Sequence, residues 1–204
     1  ALENPGFENS TNGEPGGWLI ESVVDGAMPH CVSGYSASIN QAKQGGYWLA
    51  MDPGARIAQP LSLPDIATGK FPNYDRFFVT LTVSSVQDRR PNDVHLTISI
   101  HKAPSASDWE SGDKVASCII DDWSNDNRAD PNRYVDGYAV LKAGKPIQNN
   151  EGHHYWLVIE NSLPVNSPAA PVIIDDVKVN IACPPPDQSE LPNILIVFQD
   201  DMGY

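Results

Sequence analysis

Residues 77–84 read Phe77-Phe78-Val79-Thr80-Leu81-Thr82-Val83-Ser84. In an extended chain, Phe77, Val79, Leu81 and Val83 share one face, and Phe78, Thr80, Thr82 and Ser84 share the other. The same alternation sets Val94, Leu96, Ile98 and Ile100 against His95, Thr97, Ser99 and His101, and it recurs at Tyr155, Leu157 and Ile159. Near the end, Ile173, Asp175, Val177, Val179 and Ile181 alternate with Ile174, Asp176, Lys178 and Asn180, which predicts that Asp175 points inward. Each run is short and bounded by Gly, Pro, Asn or Asp. No long amphipathic helical stretch is present, and the 18 prolines and 15 glycines suit many tight connections. The pattern predicts an all-β, antiparallel β-sandwich of the jelly-roll type. Trp18, Trp48 and Trp156 lie in strand patterns and are expected in its core.

The boundary follows from composition. Cys183-Pro184-Pro185-Pro186-Asp187-Gln188-Ser189-Glu190 is a stiff, proline-led stretch. Beyond it, Ile194 to Phe198 form a continuous apolar run that stops at Asp200-Asp201, as a strand buried on both faces does. The expected organisation is a β-sandwich module over 1–182, a Pro-rich linker over 183–191, and the truncated start of an α/β domain over 192–204.

The formal net charge is -13. Affinity for nucleic acid comes largely from Lys and Arg, and anionic membrane surfaces recruit the same residues, so both partners are disfavoured. The longest apolar run, Ile194 to Phe198, is far short of a membrane span. No basic segment followed by an apolar one marks a signal peptide; the expectation is a secreted or periplasmic chain from which any leader has been cleaved. The three cysteines, Cys31, Cys118 and Cys183, have no metal-type spacing. Cys31 and Cys183 are the candidate disulfide pair, and Cys118, within an apolar strand pattern, is expected to be a buried thiol.

Several motifs carry a resemblance. Asn4-Pro5-Gly6-Phe7-Glu8 with Gly16-Gly17-Trp18, then Gly45-Gly46-Tyr47-Trp48-Leu49-Ala50-Met51 and Gly54-Ala55-Arg56-Ile57-Ala58-Gln59-Pro60-Leu61, and finally Val172-Ile173-Ile174-Asp175-Asp176-Val177-Lys178-Val179 occur in this order. Over residues 2–181 the chain thereby resembles the jelly-roll carbohydrate-binding modules of families 4, 9, 16 and 22. The tail Pro192-Asn193-Ile194-Leu195-Ile196-Val197-Phe198-Gln199-Asp200-Asp201-Met202-Gly203-Tyr204 resembles the opening of type I, formylglycine-dependent sulfatases. That second likeness implies that Asp200 and Asp201 are calcium ligands only in a complete sulfatase. The nucleophile motif C-x-P-S-R is absent, since Cys183-Pro184-Pro185 continues with Pro186 and Asp187. The chain by itself is therefore not expected to be an enzyme.

The module resemblance implies a structural calcium between Glu8 and Asp175; Asn12 and Gly13, in the turn after Glu8, could add amide or carbonyl oxygens. Calcium takes six to eight oxygens, and a buried carboxylate without a cation or donors is costly. For sugar, exposed aromatics stack on pyranose rings while amides and charged groups hold the hydroxyls. Trp109 lies in the polar loop Ser105 to Lys114, and Trp123 lies in the longer polar loop Asp121 to Asp136, which also carries Asn125, Arg128, Arg133 and Tyr134. Long polar loops in compact sandwiches are enriched in function. Arg128 and Arg133 could take sulfate oxygens through their planar guanidinium forks. The expected partner is a polysaccharide, sulfated if the attached enzyme is a sulfatase. A domain that packs on the sulfatase without binding sugar is the competing expectation.

Overall fold

A computed structural model describes residues 2–22, 29–33, 45–63, 74–85, 95–120, 135–143, 147, 153–163 and 172–182. Its strands are β1 (Ser10–Thr11), β2 (Glu14–Pro15), β3 (Leu19–Ser22), β4 (Pro29–Ser33), β5 (Tyr47–Met51) and β6 (Ala55–Pro60). They continue as β7 (Arg76–Ser85), β8 (Leu96–Ala103), β9 (Asp113–Ile120), β10 (Val135–Lys142), β11 (His154–Asn161) and β12 (Val172–Ala182). Among the described residues there is no helix. Two five-stranded sheets form, a first in the order β10-β7-β12-β5-β4 and a second in the order β3-β6-β11-β8-β9. Every pairing is antiparallel. The fold is an antiparallel β-sandwich of the jelly-roll class.

The period-two residues build the core between the sheets. Phe77, Val79, Leu81 and Val83 of β7 meet Leu96, Ile98 and Ile100 of β8 and Tyr155, Leu157 and Ile159 of β11 there. Phe7 and Trp18 join this core with ring centroids 5.7 Å apart. Burying each such large side chain contributes on the order of 2 kcal/mol, so these strands carry most of the stabilisation.

Strand β12 departs from simple alternation. Val172 and Ile174 face the core, and so do Val177 and, at its margin, Val179 and Ile181. The parity changes because the register slips between Asp175 and Lys178, where Asp176 adopts a left-handed φ of 50°. A bulge adds one residue to one strand and flips the faces beyond it. Asp175 therefore lies with Ile173 on the outer side, not with Val177 and Val179 as the alternation predicted. It is nonetheless fully buried. Trp48 also differs from expectation. Its neighbours Leu49 and Met51 point into the core, so its indole is buried on the outer side of the first sheet. Cys118 is a free, half-buried thiol at the core margin. The expected Cys31–Cys183 pairing and the linker and tail over 183–204 lie outside the described residues.

The N-terminal segment is fastened along the edge of this sandwich. Gln59, 1% exposed, accepts the Glu3 amide at 2.8 Å and donates to the carbonyls of Glu3 at 3.0 Å and Gly17 at 2.7 Å. Asn4 bridges the ends of the β1–β2 hairpin by donating to Asn9 O and Gly16 O and accepting from Asn9 N. Burial makes each lost partner of Gln59 costly, about 1–3 kcal/mol per stranded group. Gln59→Leu is accordingly expected to lower the unfolding free energy by about 2–4 kcal/mol in urea denaturation, whereas loss under about 0.5 kcal/mol would mean that the segment is held elsewhere.

Candidate functional site

The register of the second sheet lines up three outward rows. Glu21 of β3 opposes Arg56 of β6, which opposes Glu160 of β11, which opposes Thr97 of β8. The next row runs Leu19, Ala58, Val158 and Ser99, and the third runs Pro60, Trp156 and His101. Residues of these rows face away from the core because their chain neighbours Ile57, Leu157, Ile159, Ile98 and Ile100 fill it.

A small cluster of Ala58, Ala103, Trp109, Trp156 and Val158 is buried on this outer face. Trp109 arrives on the loop 104–112 that connects β8 to β9. The loop is pinned by the Trp156 indole donating to Ser105 O at 3.1 Å, and it closes with Gly112 N donating to Trp109 O at 3.0 Å. Gly112 permits this close approach, because a Cβ there would fall 2.7 Å from the Lys102 carbonyl oxygen. Trp109 is only 6% exposed. It is therefore not the exposed stacking platform expected from its polar loop. The reason lies in the opposite surface: Ala58 and Ala103 are small enough to seat the indole, and Val158 and Trp156 wall it in. The continuous apolar run Tyr155-Trp156-Leu157-Val158-Ile159 was the available signal, since an apolar residue at every position means that both faces of a strand are covered.

Charged groups surround that indole. Its N–H donates to Glu21 Oε1 at 2.9 Å, and the Arg56 guanidinium lies 5.2 Å from the ring centroid. Arg56 holds Glu160 with its Nε at 3.0 Å and a second guanidinium nitrogen at 2.9 Å. Glu21 stands 3.6 Å and Glu110 3.7 Å from the remaining nitrogen. Glu21 Oε2 is buried and has no hydrogen-bond partner. The Arg56, Glu21 and Glu160 side chains keep 20%, 29% and 25% of their surface in solvent, and Glu110 keeps 65%. The row is thus reachable from outside, with guanidinium donors and carboxylate acceptors set side by side against an aromatic wall.

His101 completes the cluster. Its ring meets Trp109 edge-on at 4.7 Å, and its Nε2 lies 3.1 Å from Ser99 Oγ. Its Nδ1 is buried and unpartnered. Burial, reinforced by the positive charges of Lys114 and Arg56, pushes its pKa down to about 4.

The calcium candidates are split. Glu8 accepts from Gly46 N with both carboxylate oxygens at 3.0 Å and from Tyr47 N at 3.0 Å. Gly45, with φ of 69°, makes room, since a Cβ there would run into the Glu8 carboxylate. β12 pairs with β5 through Ile174 opposite Leu49, so Asp175 sits beside the same end of β5 that Glu8 grips. The Val177 amide, just past the bulge, donates to Pro5 O at 3.0 Å and brings the Glu8 segment to β12. Two carboxylates with carbonyl oxygens nearby are donor chemistry that calcium accepts. Among the described residues, however, no group of three or more His, Cys, Asp or Glu is gathered for a metal. Asn12 is exposed at the tip of the β1–β2 hairpin, where its φ of 55° serves the tight turn with Gly13. Trp123, Asn125, Arg128, Arg133 and Tyr134, and also Asp200 and Asp201, lie outside the described residues.

No family model matches the chain, and no curated protein matches it. Solved structures do. A Stig cyclase, Fisc, from Fischerella sp. TAU is 13% identical with a TM-score of 0.57, over 89% of this chain and 96% of that one. The K2 cleaved adhesin domain of Lys-gingipain is 15% identical with a TM-score of 0.52, over 87% and 97% of the two chains. The matches also include the CBM22-2 xylan-binding domain of Xyn10C from Paenibacillus barcinonensis, 14% identical over 89% of this chain and 100% of that one. Its TM-score of 0.49 is too loose a likeness to bear on function. At these identities the shared property is the fold.

His101 generates a pH prediction. It stays neutral in the folded chain down to about pH 4, whereas the unfolded chain takes up a proton near 6.5. Its contribution to stability is complete above 6.5 and is lost as acid carries the pH through 6.5 toward 4. His101→Asn is expected to flatten that part of the pH profile of the urea midpoint relative to the parent. Parallel profiles would assign the acid sensitivity to carboxylates alone.

Proposed function

We propose that the chain is a non-catalytic carbohydrate-binding module whose glycan docks on the Glu21–Arg56–Glu160 row of the second sheet. The supporting observation is the composition of that outer face. A sheet face that only meets solvent needs nothing more than scattered polar groups. This one buries two indoles and sets a guanidinium among three partly exposed carboxylates. Sugar hydroxyls are both donors and acceptors, so alternating carboxylate and guanidinium groups satisfy a vicinal pair, and Leu19, 40% exposed in the next row, offers apolar surface to the sugar face. The polysaccharide is the partner, and the tail over 192–204 supports a type I sulfatase as the appended enzyme in a secreted or periplasmic parent. Tethering makes the enzyme's encounter with the same polymer intramolecular, so weak binding by the module suffices. The loop residues Trp123, Asn125, Arg128, Arg133 and Tyr134 are proposed as a further part of the binding surface.

Affinity electrophoresis of the chain through gels containing soluble polysaccharides tests this. Retardation by at least one polymer is expected, and Glu160→Gln should weaken it about tenfold, the effect of losing one charged hydrogen bond, without lowering the melting temperature by more than a few degrees. Retardation that survives Glu160→Gln but disappears with Trp123→Ala would move the site to the loop over 121–136.

A structural calcium between Glu8 and Asp175 is the second part of the proposal. It is supported by the full burial of the Asp175 carboxylate beside the strand end that Glu8 grips. Saturating calcium should raise the melting temperature by about 5 °C or more over chelator-treated protein. Asp175→Asn or Glu8→Gln should abolish that difference. Identical melting with calcium and with chelator would remove the metal from the account.

A further inference from the structure

We propose that strand β9 is a self-association edge, where a second copy of this chain adds its own β9 antiparallel across a two-fold axis. The second sheets of the two copies then join into one sheet of ten strands, five from each. The inference stands apart from the glycan-binding reading and does not depend on it.

The edge itself carries the argument. β9 ends one side of the second sheet, and among the described strands it pairs only with β8. An edge strand presents a row of open N–H and C=O groups, which natural sheets blunt with short strands, Pro, bulges or charges. The other three edges carry such devices. β3 has four residues, β4 has five and begins with Pro29, and β10 carries Asp136, Gly137 and Lys142. β9 runs for eight residues, and its register irregularity lies near its start, between the Ala116–Ile100 and Lys114–His101 pairs. Beyond it, Ala116-Ser117-Cys118-Ile119-Ile120 contains no charge, Gly or Pro. No residue of β9 is buried, and Ile119 at 57% is the most exposed large apolar side chain described.

The geometry fixes a register. Ser117 and Ile119 face outward opposite Ser99 and Thr97, whereas Ala116, Cys118 and Ile120 face the core opposite Ile100, Ile98 and Leu96. Opposed residues of an antiparallel pair share a face, so the two-fold axis must pass at a residue and not between two. The regular stretch 116–120 has its midpoint at Cys118, and an axis there opposes all five residues. Ile119 of each copy then meets Ser117 of the other, and Ala116 meets Ile120.

Charge selects the antiparallel sense. The chain carries -13 overall, yet this stretch carries none, so two copies meet there without like charges opposed. At the start of β9, Asp113 opposes Lys102, while the exposed Lys114 opposes His101, which burial keeps neutral. Past the other end the sequence continues as Asp121-Asp122. Antiparallel pairing brings the Lys114 end of each copy to the acidic end of the other, whereas parallel pairing brings like ends together. Five opposed residues a side fall short of the roughly 1,200 Å² that stable interfaces bury, so a weak, concentration-dependent dimer is expected.

Sedimentation equilibrium of the full chain from about 1 µM to about 1 mM tests this, and the mean mass should climb toward twice the monomer mass. Ile119→Lys should weaken association at least about tenfold while leaving the melting temperature within a few degrees, because the side chain is exposed. Ser117→Lys, at an exposed serine, serves the same purpose should Ile119→Lys unfold the chain. Mixing Ile119→Lys with Ser117→Asp should give tighter association than either variant alone, since residue 119 of one copy opposes residue 117 of the other. A monomer at every concentration would overturn the proposal. So would a dimer that survives Ile119→Lys but disappears with Ile196→Lys, which would assign the association to the apolar run 194–198.

Discussion

The bulge in β12 is the constraint on which the two ends of the molecule depend. β12 lies in the middle of the first sheet, between β7 and β5, and would by strict alternation bury one side of its length and expose the other. The slip between Asp175 and Lys178 lets Ile174 and Val177 both reach the core. It also turns the Asp175 carboxylate to the outer side, where the Thr82 hydroxyl donates to its carbonyl at 3.1 Å and the Asp176 amide caps its Oδ1 at 2.7 Å. The Val177 amide then reaches Pro5 O. One inserted residue thus joins the last strand to the first segment and places Asp175 near the end of β5 that Glu8 holds.

The second sheet solves a different problem. Its inner face packs into the core between the sheets, but its outer face is half closed by the loop 104–112. Trp109 and Trp156 bury each other's apolar surface over Ala58 and Ala103, while each indole N–H finds an oxygen, Glu21 Oε1 and Ser105 O. Rigid aromatic packing beneath the loop fixes where Arg56 can lie, and Arg56 in turn fixes Glu160. Such a preordered row would lose less side-chain freedom on taking a ligand than a set of mobile surface residues.

Much of the fold was legible in the chain itself. The alternations at 77–83, 96–100 and 155–159 identify the core faces of β7, β8 and β11, since a period of two leaves no other way to bury those side chains together. Gln59, quoted only as part of a motif, turned out to fasten Glu3 and Gly17. The face assignment of Asp175 failed because a bulge is a local backbone event: Asp176 tolerates left-handed φ, yet nothing in Asp175-Asp176-Val177 requires it. The reading of Trp109 failed because loop polarity describes the neighbours of a residue along the chain, not those across it.

The sequence by itself determined the all-β class, the strand faces that make the core, and the acidic surface, because these follow from side-chain chemistry at a fixed two-residue period and from a simple count of charges. Tertiary structure alone decided that Glu21, Arg56 and Glu160 share a row, that the loop 104–112 folds onto that row, and that Asp175 approaches the first segment. Those three facts depend on strand order and register. Register is set by which strands pair and where a bulge falls, and residues 21, 56 and 160 become neighbours only when three strands distant in sequence lie side by side.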